Sequence, residues 1–548
     1  MIKSLLAPRD RGLPRTAARR AMVTVKVAVA TATIAAATLF ATTGASAAPQ
    51  TDPAVVQTDK GLVKGTVADD YRSFSGIPFA APPVGELRWQ PPRPAASWSG
   101  TRDATKPGST CMVKSPVGVT GSEDCLYLNV TTPRPKPETP SKKPVMVYIH
   151  GGGFTGGSGS ENNTSTLTTR GDVVAVTLNY RLGAFGFLAH AGLDTTASTS
   201  GNYGLQDQQA ALKWVQRNIA AFGGDPDNVT VFGISAGAMS TCYQLASPGS
   251  KGLLDKSIVQ SGSCTAQLNT LAQGEQNGDK FAAKSGCTGS NADIVGCLRQ
   301  KNASDLASTA GESGFDWFPL AGTTVLPEQP AKALASRRSP PIPTIYGGTH
   351  SETSVYIALG NDLAGKPVTA ESYEKFIRDT FGKDADAVLA QYPLSKYPSA
   401  FTALSTLSTD CMPRGLLSWC SYLNSAHLLK STGNAPLYLY EFNDTTVPPL
   451  IPGVDLGVYH GSDSGYLFVG SFGSLTPAQK VLSNQMIDYW TRFAATGNPN
   501  GPGSPHWPAY QKSSDAMNLG SGSDGVHTVD LEAAHQYRFW KEHPVQGS

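Results

Sequence analysis

The 548-residue chain carries 44 Lys/Arg against 42 Asp/Glu, is 40% hydrophobic and 16% charged, and has a mean hydropathy of −0.20. Those are ordinary proportions for a globular protein, and a chain this long buries a large core, so neither metals nor crosslinks are needed merely to fold it. Removing the seven Lys/Arg and one Asp of residues 1–47 takes the formal charge from +2 to −4; no Lys/Arg-rich run is then left, which excludes an electrostatic case for nucleic acid or anionic lipid.

The N-terminus reads as an export leader. Arg9, Arg11, Arg15, Arg19, Arg20 and Lys26 form a basic region, Val27 to Phe40 is apolar or small, and Ala45-Ser46-Ala47 offers a small-residue cleavage site. The apolar run is too short and too rich in Ala and Thr for a membrane anchor. Residues 1–47 are therefore expected to be cleaved, and 48–548 to form one secreted domain. Arg19-Arg20 is compatible with a twin-arginine route as well as the general one.

Downstream, short apolar runs read as buried strands: Val145–Ile149, Val173–Asn179, Val229–Phe232, Lys256–Gln260, Thr344–Tyr346 and Leu437–Phe442. A helical pattern fills Gln206–Phe222, with Leu212, Val215 and Ile219 on one face. Strands alternating with helices predict an α/β fold, a mostly parallel sheet covered on both sides. Gly156–Thr169 reads as a surface loop, and 265–340 and 357–435 as helical insertions. The eight cysteines form an even set with no CxxC spacing, so disulfides fit better than zinc or a redox dithiol.

Gly233-Ile234-Ser235-Ala236-Gly237 directly follows the strand Val229–Phe232, and a helical stretch begins near Ala236. Small residues on both sides of a serine allow the sharp strand-to-helix turn that exposes its hydroxyl. A hydroxyl alone is a weak nucleophile, and needs a base and donors for the developing oxyanion. His150-Gly151-Gly152-Gly153-Phe154, at the end of another predicted strand, matches a glycine motif that supplies such donors. The expected donors are the N–H groups of Gly152, Gly153 and Ala236. Chain order then requires an acid and a histidine after Ser235. Glu352, just past the strand Thr344–Tyr346, and His460, in the turn-like stretch Gly457–Asp463, are the candidates. His527, His535 and His543 read as surface residues.

These features make an α/β-hydrolase fold, and the chain resembles the type-B carboxylesterase family, which includes bacterial carboxylesterases, cholesterol esterases and cholinesterases. The resemblance rests on Phe222 through Gly237, on Glu123-Asp124-Cys125-Leu126-Tyr127-Leu128-Asn129-Val130, and on Gly76–Ala80 with Pro82–Gly85. Asn179-Tyr180-Arg181, Gly201–Leu205 and Thr496–Pro499 are also similar. It implies that Glu352 and His460 complete a triad with Ser235, and that Cys111–Cys125 and Cys287–Cys297 are disulfides. It leaves Cys411 and Cys420 without a firm assignment, and Cys242 and Cys264 either free or paired. Phe154 and Phe318 stand where pocket walls are expected, the alternative being ordinary core residues.

Two departures bear on substrate. Ile234 replaces the glutamate usual before the nucleophile, removing a charge that would attract cations and raise the histidine pKa. The loop between Cys111 and Cys125 holds only 13 residues and no Trp, much shorter than in cholinesterases and lid-bearing lipases. The expected activity is hydrolysis of short- to medium-chain or small aryl and alkyl esters through an acyl-serine, with no cofactor or metal. The expected partner is a small-molecule ester, with no nucleic acid and no stable membrane anchor. A lipase or sterol esterase on the same three residues, and a non-catalytic binding protein on the same fold, are the rival readings.

Overall fold

A strand buried on both faces reads as an unbroken apolar run, and Val145–Ile149 does so for that reason. Val145, Val147 and Ile149 belong to one hydrophobic cluster, while the intervening Met146 and Tyr148 belong to a second on the other side of the sheet. Successive side chains of a strand point to opposite faces, so a sheet between two cores imposes this division. The computed structural model describes residues 52–135, 142–196, 198–336, 341–468, 470–522 and 525–545. The expected leader, 1–47, lies outside them.

The main sheet has eleven strands. They are β1 (Thr66–Val67), β2 (Tyr71–Pro78), β3 (Tyr127–Pro133), β4 (Lys143–Ile149), β5 (Val174–Leu178) and β6 (Gly224–Ile234). The remainder are β7 (Lys256–Gln260), β8 (Thr344–Thr349), β9 (Leu437–Phe442), β10 (Ala516–Leu519) and β11 (Val526–Val529). Their order is β11-β10-β9-β8-β7-β6-β4-β5-β3-β2-β1. Neighbours from β10 across to β5 pair parallel, whereas β11 and the β3-β2-β1 edge pair antiparallel. Each expected strand is present. β6 begins five residues earlier than its apolar run, with a register shift against β4 between Gly224 and Val229.

The helices that matter for the site are α1 (Ser165–Gly171), α2 (Tyr203–Asn218), α3 (Ala236–Ala246), α4 (Ser354–Gly360), α5 (Ala400–Asp410), α6 (Trp419–Thr432) and α7 (Pro477–Thr496). Leu212 and Val215 of α2 and Ala238 and Cys242 of α3 join the Val145/Val147 cluster; Leu482, Met486, Trp490 and Phe493 of α7 join the Met146/Tyr148 cluster. The expected helix Gln206–Phe222 starts three residues earlier, and its last turn, Ile219–Phe222, is a 3-10 helix ended by Gly223 at φ +90°. Gly156–Thr169 is not wholly a surface loop. Gly159 is buried with its N–H on Asn179 Oδ1 (2.9 Å), and α1 begins at Ser165 and buries Leu167 and Thr168. The two expected insertions are helical over most of their length.

All eight cysteines are paired: Cys111–Cys125, Cys242–Cys264, Cys287–Cys297 and Cys411–Cys420. The Cys242–Cys264 bridge ties α3 to the segment after β7. Arg181 makes a buried ion pair with Asp207 of α2, donating from its main-chain N–H, Nε and Nη2 to the two carboxylate oxygens at 2.8–3.0 Å.

Candidate active site

The carboxyl ends of the parallel strands converge on Ser235. β6 stops at Ile234, and α3 starts at Ala236, so a single residue makes the turn. Ser235 has φ +57° and ψ −123°, a conformation sparsely used by residues with a Cβ and costing on the order of 1–3 kcal/mol. Its surroundings hold it there: Ser235 N–H donates to Gln260 O of β7, and Met239 N–H donates to Ser235 O, both at 2.9 Å. The turn fits only because its flanks lack side chains. A Cβ on Gly233 would lie 2.5 Å from Ile149 O of β4, and one on Gly237 would lie 1.9 Å from the same oxygen.

The glycine loop leaves β4 beside this turn. A Cβ on Gly151 would come within 3.2 Å of Ser235 Cβ, and Gly152 and Gly153 adopt φ +104° and +60°. Among the described residues, the amides of Gly152, Gly153 and Ala236 have no hydrogen-bond acceptor. Free N–H groups next to a serine hydroxyl, one of them at a helix N-terminus, are poised for an anion. His150 itself is buried in the core, stacked on Tyr180 at 4.4 Å, with Nε2 unpartnered among the described residues. Burial pushes its pKa down to about 4, so it stays neutral at pH 7.

Glu352 is fully buried just beyond β8. Thr349 N–H donates to its Oε1 (2.7 Å), and His460 Nδ1 lies 2.5 Å from its Oε2. Gly348 makes room for the carboxylate, since a Cβ there would sit 2.4 Å from Oε1. The loops bearing Glu352 and His460 are tied together: Ser351 N–H donates to Val458 O at 2.9 Å, and Ser351 bridges to Tyr459. With Nδ1 held by Glu352, His460 Nε2 faces away from it, buried and with no partner among the described residues. The Tyr356 ring of α4 lies 5.5 Å from the His460 ring.

Two features escaped the sequence. Asp463, three residues past His460, is fully buried and accepts hydrogen bonds from Gln260 Nε2 and Tyr440 OH at 2.9 Å each. Burial raises its pKa, opposed by those two donors. Gln260 thereby links the Ser235 main chain to the histidine loop; the only sequence signal was an acid close to His460. His535, expected at the surface, is buried between Asp410 and Glu441 at 2.7 Å from each, because the C-terminal helices fold back over α6.

The residues offered as pocket walls divide. Phe154 is fully buried and packs on Phe187, Tyr243 and Phe318, which places it in the core; Phe318 is half-buried at the edge of that cluster. Ile234 is buried too, and its methyl groups lie 3.4 and 3.6 Å from where Cβ atoms on Gly151 and Gly461 would stand. It therefore fills the space between the glycine loop and the histidine loop with hydrocarbon.

Comparison with known proteins agrees with this arrangement. A family model described as "Carboxylesterase family" matches residues 52–540. The para-nitrobenzyl esterase of Bacillus subtilis is 36% identical over 485 residues, covering 84% of this chain and 93% of that protein. The fumonisin B1 esterase of Sphingopyxis macrogoltabida is 35% identical over 509 residues, covering 87% and 88%. A solved structure titled PNB esterase superposes with a TM-score of 0.74 at 34% identity, covering 89% of this chain and all of its own. With likeness of this extent in both sequence and sheet architecture, the chain belongs to the carboxylesterase family and is a carboxylic-ester hydrolase with the α/β-hydrolase fold.

Proposed function

We propose that the protein hydrolyses short- to medium-chain or small aryl and alkyl esters through an acyl-enzyme on Ser235. The observation that carries the reading is the hydrogen bond between Glu352 and His460 Nδ1, which leaves Nε2, on the side away from the carboxylate, unpartnered among the described residues. His460 Nε2 takes the Ser235 proton as Oγ attacks the ester carbonyl, and Glu352 fixes the tautomer and stabilises the imidazolium. The N–H groups of Gly152, Gly153 and Ala236 hold the oxyanion. The protonated His460 gives its proton to the departing alcohol, and water activated by the same nitrogen then releases the acid. A serine–histidine hydrogen bond that closes only with substrate bound is common in resting enzymes. The short Cys111–Cys125 loop and the neutral Ile234 favour soluble, uncharged esters over lipid interfaces or choline esters.

The test is p-nitrophenyl ester hydrolysis, from acetate to palmitate, by the wild type and by Ser235→Ala. The variant is expected to lose about 10⁴-fold or more in kcat, and the wild type to favour acetate through octanoate. Near-wild-type turnover by the variant would overturn the assignment, and a maximum on emulsified palmitate would make the enzyme a lipase. The protein is also proposed to act outside the cell. Support comes from the leader-like residues 1–47, from four disulfides, and from the absence, among the described residues, of any helix long and apolar enough to cross a membrane.

A further inference from the structure

Behind the Glu352 loop lies a second group of titratable side chains that ester hydrolysis does not use. His350 follows β8, Glu441 is in β9, and His535 lies between the two C-terminal helices; one ligand atom from each falls within 4.8 Å of the others. Glu441 Oε1 stands 2.8 Å from His350 Nδ1 and 2.7 Å from His535 Nε2. We propose that His350 Nδ1, Glu441 Oε1 and His535 Nε2 bind a divalent transition-metal ion of the zinc class, clipping β8, β9 and the C-terminal segment together.

The donor chemistry and its support both fit. Two imidazoles and one carboxylate form a set that zinc accepts, with a fourth position left for water. Ligating histidines ordinarily have their second nitrogen held by a carboxylate, and here Asp410 holds His535 Nδ1 at 2.7 Å. Asp410 is itself oriented by Tyr392 OH (2.8 Å), which accepts from Trp540 Nε1 (2.9 Å). Trp419 stacks on the His535 ring at 4.6 Å, 12° from parallel, and prevents it from turning. His535, Glu441 and Asp410 are all nearly fully buried, whereas His350 is 45% exposed and forms the entrance.

Space for the fourth ligand is present. A cavity of about 180 Å³ is lined by His350, Ser354, Ser405, Asp410 and His535, among others. Ser405 Oγ, on that wall, is buried and has no hydrogen-bond partner among the described residues. Zinc bonds of about 2.0–2.2 Å hold ligand atoms roughly 3.3 Å apart, so Glu441 and the two rings must separate by about half an ångström. The half-exposed His350 is free to do so. The ion displaces the protons on both ligating nitrogens: that on His535 Nε2 leaves to solvent, and that on His350 Nδ1 is exchanged through solvent for one on Nε2 of the same ring; the ion's two charges then balance the buried carboxylates of Glu441 and Asp410. The ligands are 91 and 94 residues apart along the chain, so no spacing motif marks them.

The experiment is zinc titration of the EDTA-treated full-length mature protein by calorimetry, with metal content by mass spectrometry and the cobalt(II) spectrum as a geometry probe. One ion per chain is expected, with a tetrahedral-type cobalt spectrum and a higher Tm on adding zinc. His350→Gln, at the exposed ligand, should weaken binding at least tenfold while remaining folded. His506→Gln, at an exposed histidine elsewhere, should bind as the wild type does. Absence of stoichiometric binding, or equal binding by His350→Gln, would overturn the proposal. Glu441→Gln provides a second variant, and unchanged affinity there would also exclude the site.

Discussion

Ser235 is held in a strained conformation by its neighbours, and the residues beside it have their identities dictated by that fact. Ile234 is the most informative of them. It lies buried between Gly151 and Gly461, the residue after His460, on which the proposed mechanism develops positive charge. Ile234→Glu is expected to raise kcat/KM for cationic esters relative to neutral isosteres by several-fold, on Coulombic grounds. An unchanged ratio in a variant with normal Tm would refute the charge argument. His150 makes a second prediction. Its imidazole is pushed down to about 4 from 6.5 by burial. The unfolded chain therefore binds a proton between those values while the folded one refuses it, so stability is intact above pH 6.5 and falls as pH drops toward 4. The full effect is about 3 kcal/mol. His150→Gln should lose less Tm between pH 7 and pH 4.5 than the wild type loses; an equal loss would mean that the acid sensitivity lies elsewhere.

At the level of elements, the elbow is a three-way contact between β6, α3 and the end of β4. Gly237 carries the tightest part, with Ile149 O where a Cβ would need to be. Gly237→Ala must move α3 away from β4 and with it the Ala236 amide. A displacement of about 1 Å is enough to cost on the order of 10²-fold in rate. The expected result is a soluble protein whose kcat falls at least that far with KM little changed, and wild-type kcat would show that the contact relaxes harmlessly. The strands themselves were legible because each of β4 to β9 contains an apolar run; the polar start of β6, residues 224–228, lies outside its run and was not. What could not be read was the burial of Gly159 and of Leu167 and Thr168 in α1: it depends on Asn179, beyond the segment, and on contacts to other elements.

For the whole molecule, the sheet order brings the ends of β6 and β8 and the loop after β9 to one edge, so that Glu352 meets His460, 108 positions further along the chain. The four disulfides each close a short local loop, the longest spanning 22 residues, and do not join parts distant along the chain. Their presence leads to a prediction about destination. Protein recovered from the culture medium of an expressing bacterium should begin near Ala48 by N-terminal sequencing. Cell-retained protein with an intact residue 1–47 would argue against export.

The sequence alone marked Ser235 and the glycine loop as candidates, because each sits in a short motif at a strand end, where local backbone demands restrict residue type; chain order and the family resemblance added Glu352 and His460. It also determined the mostly parallel sheet, since burial on both faces leaves a direct hydrophobic signature. Tertiary structure decided the rest. The pairing of Cys242 with Cys264 and of Cys411 with Cys420, the core position of Phe154, and the links from Gln260 to Asp463 depend on which elements pack together. So does the burial of His535, whose polar sequence neighbours gave no sign of the carboxylates brought to it from Asp410 and Glu441. Local patterns report the conformation a segment prefers; the partners of a buried polar group come from distant segments, and only the folded chain specifies them.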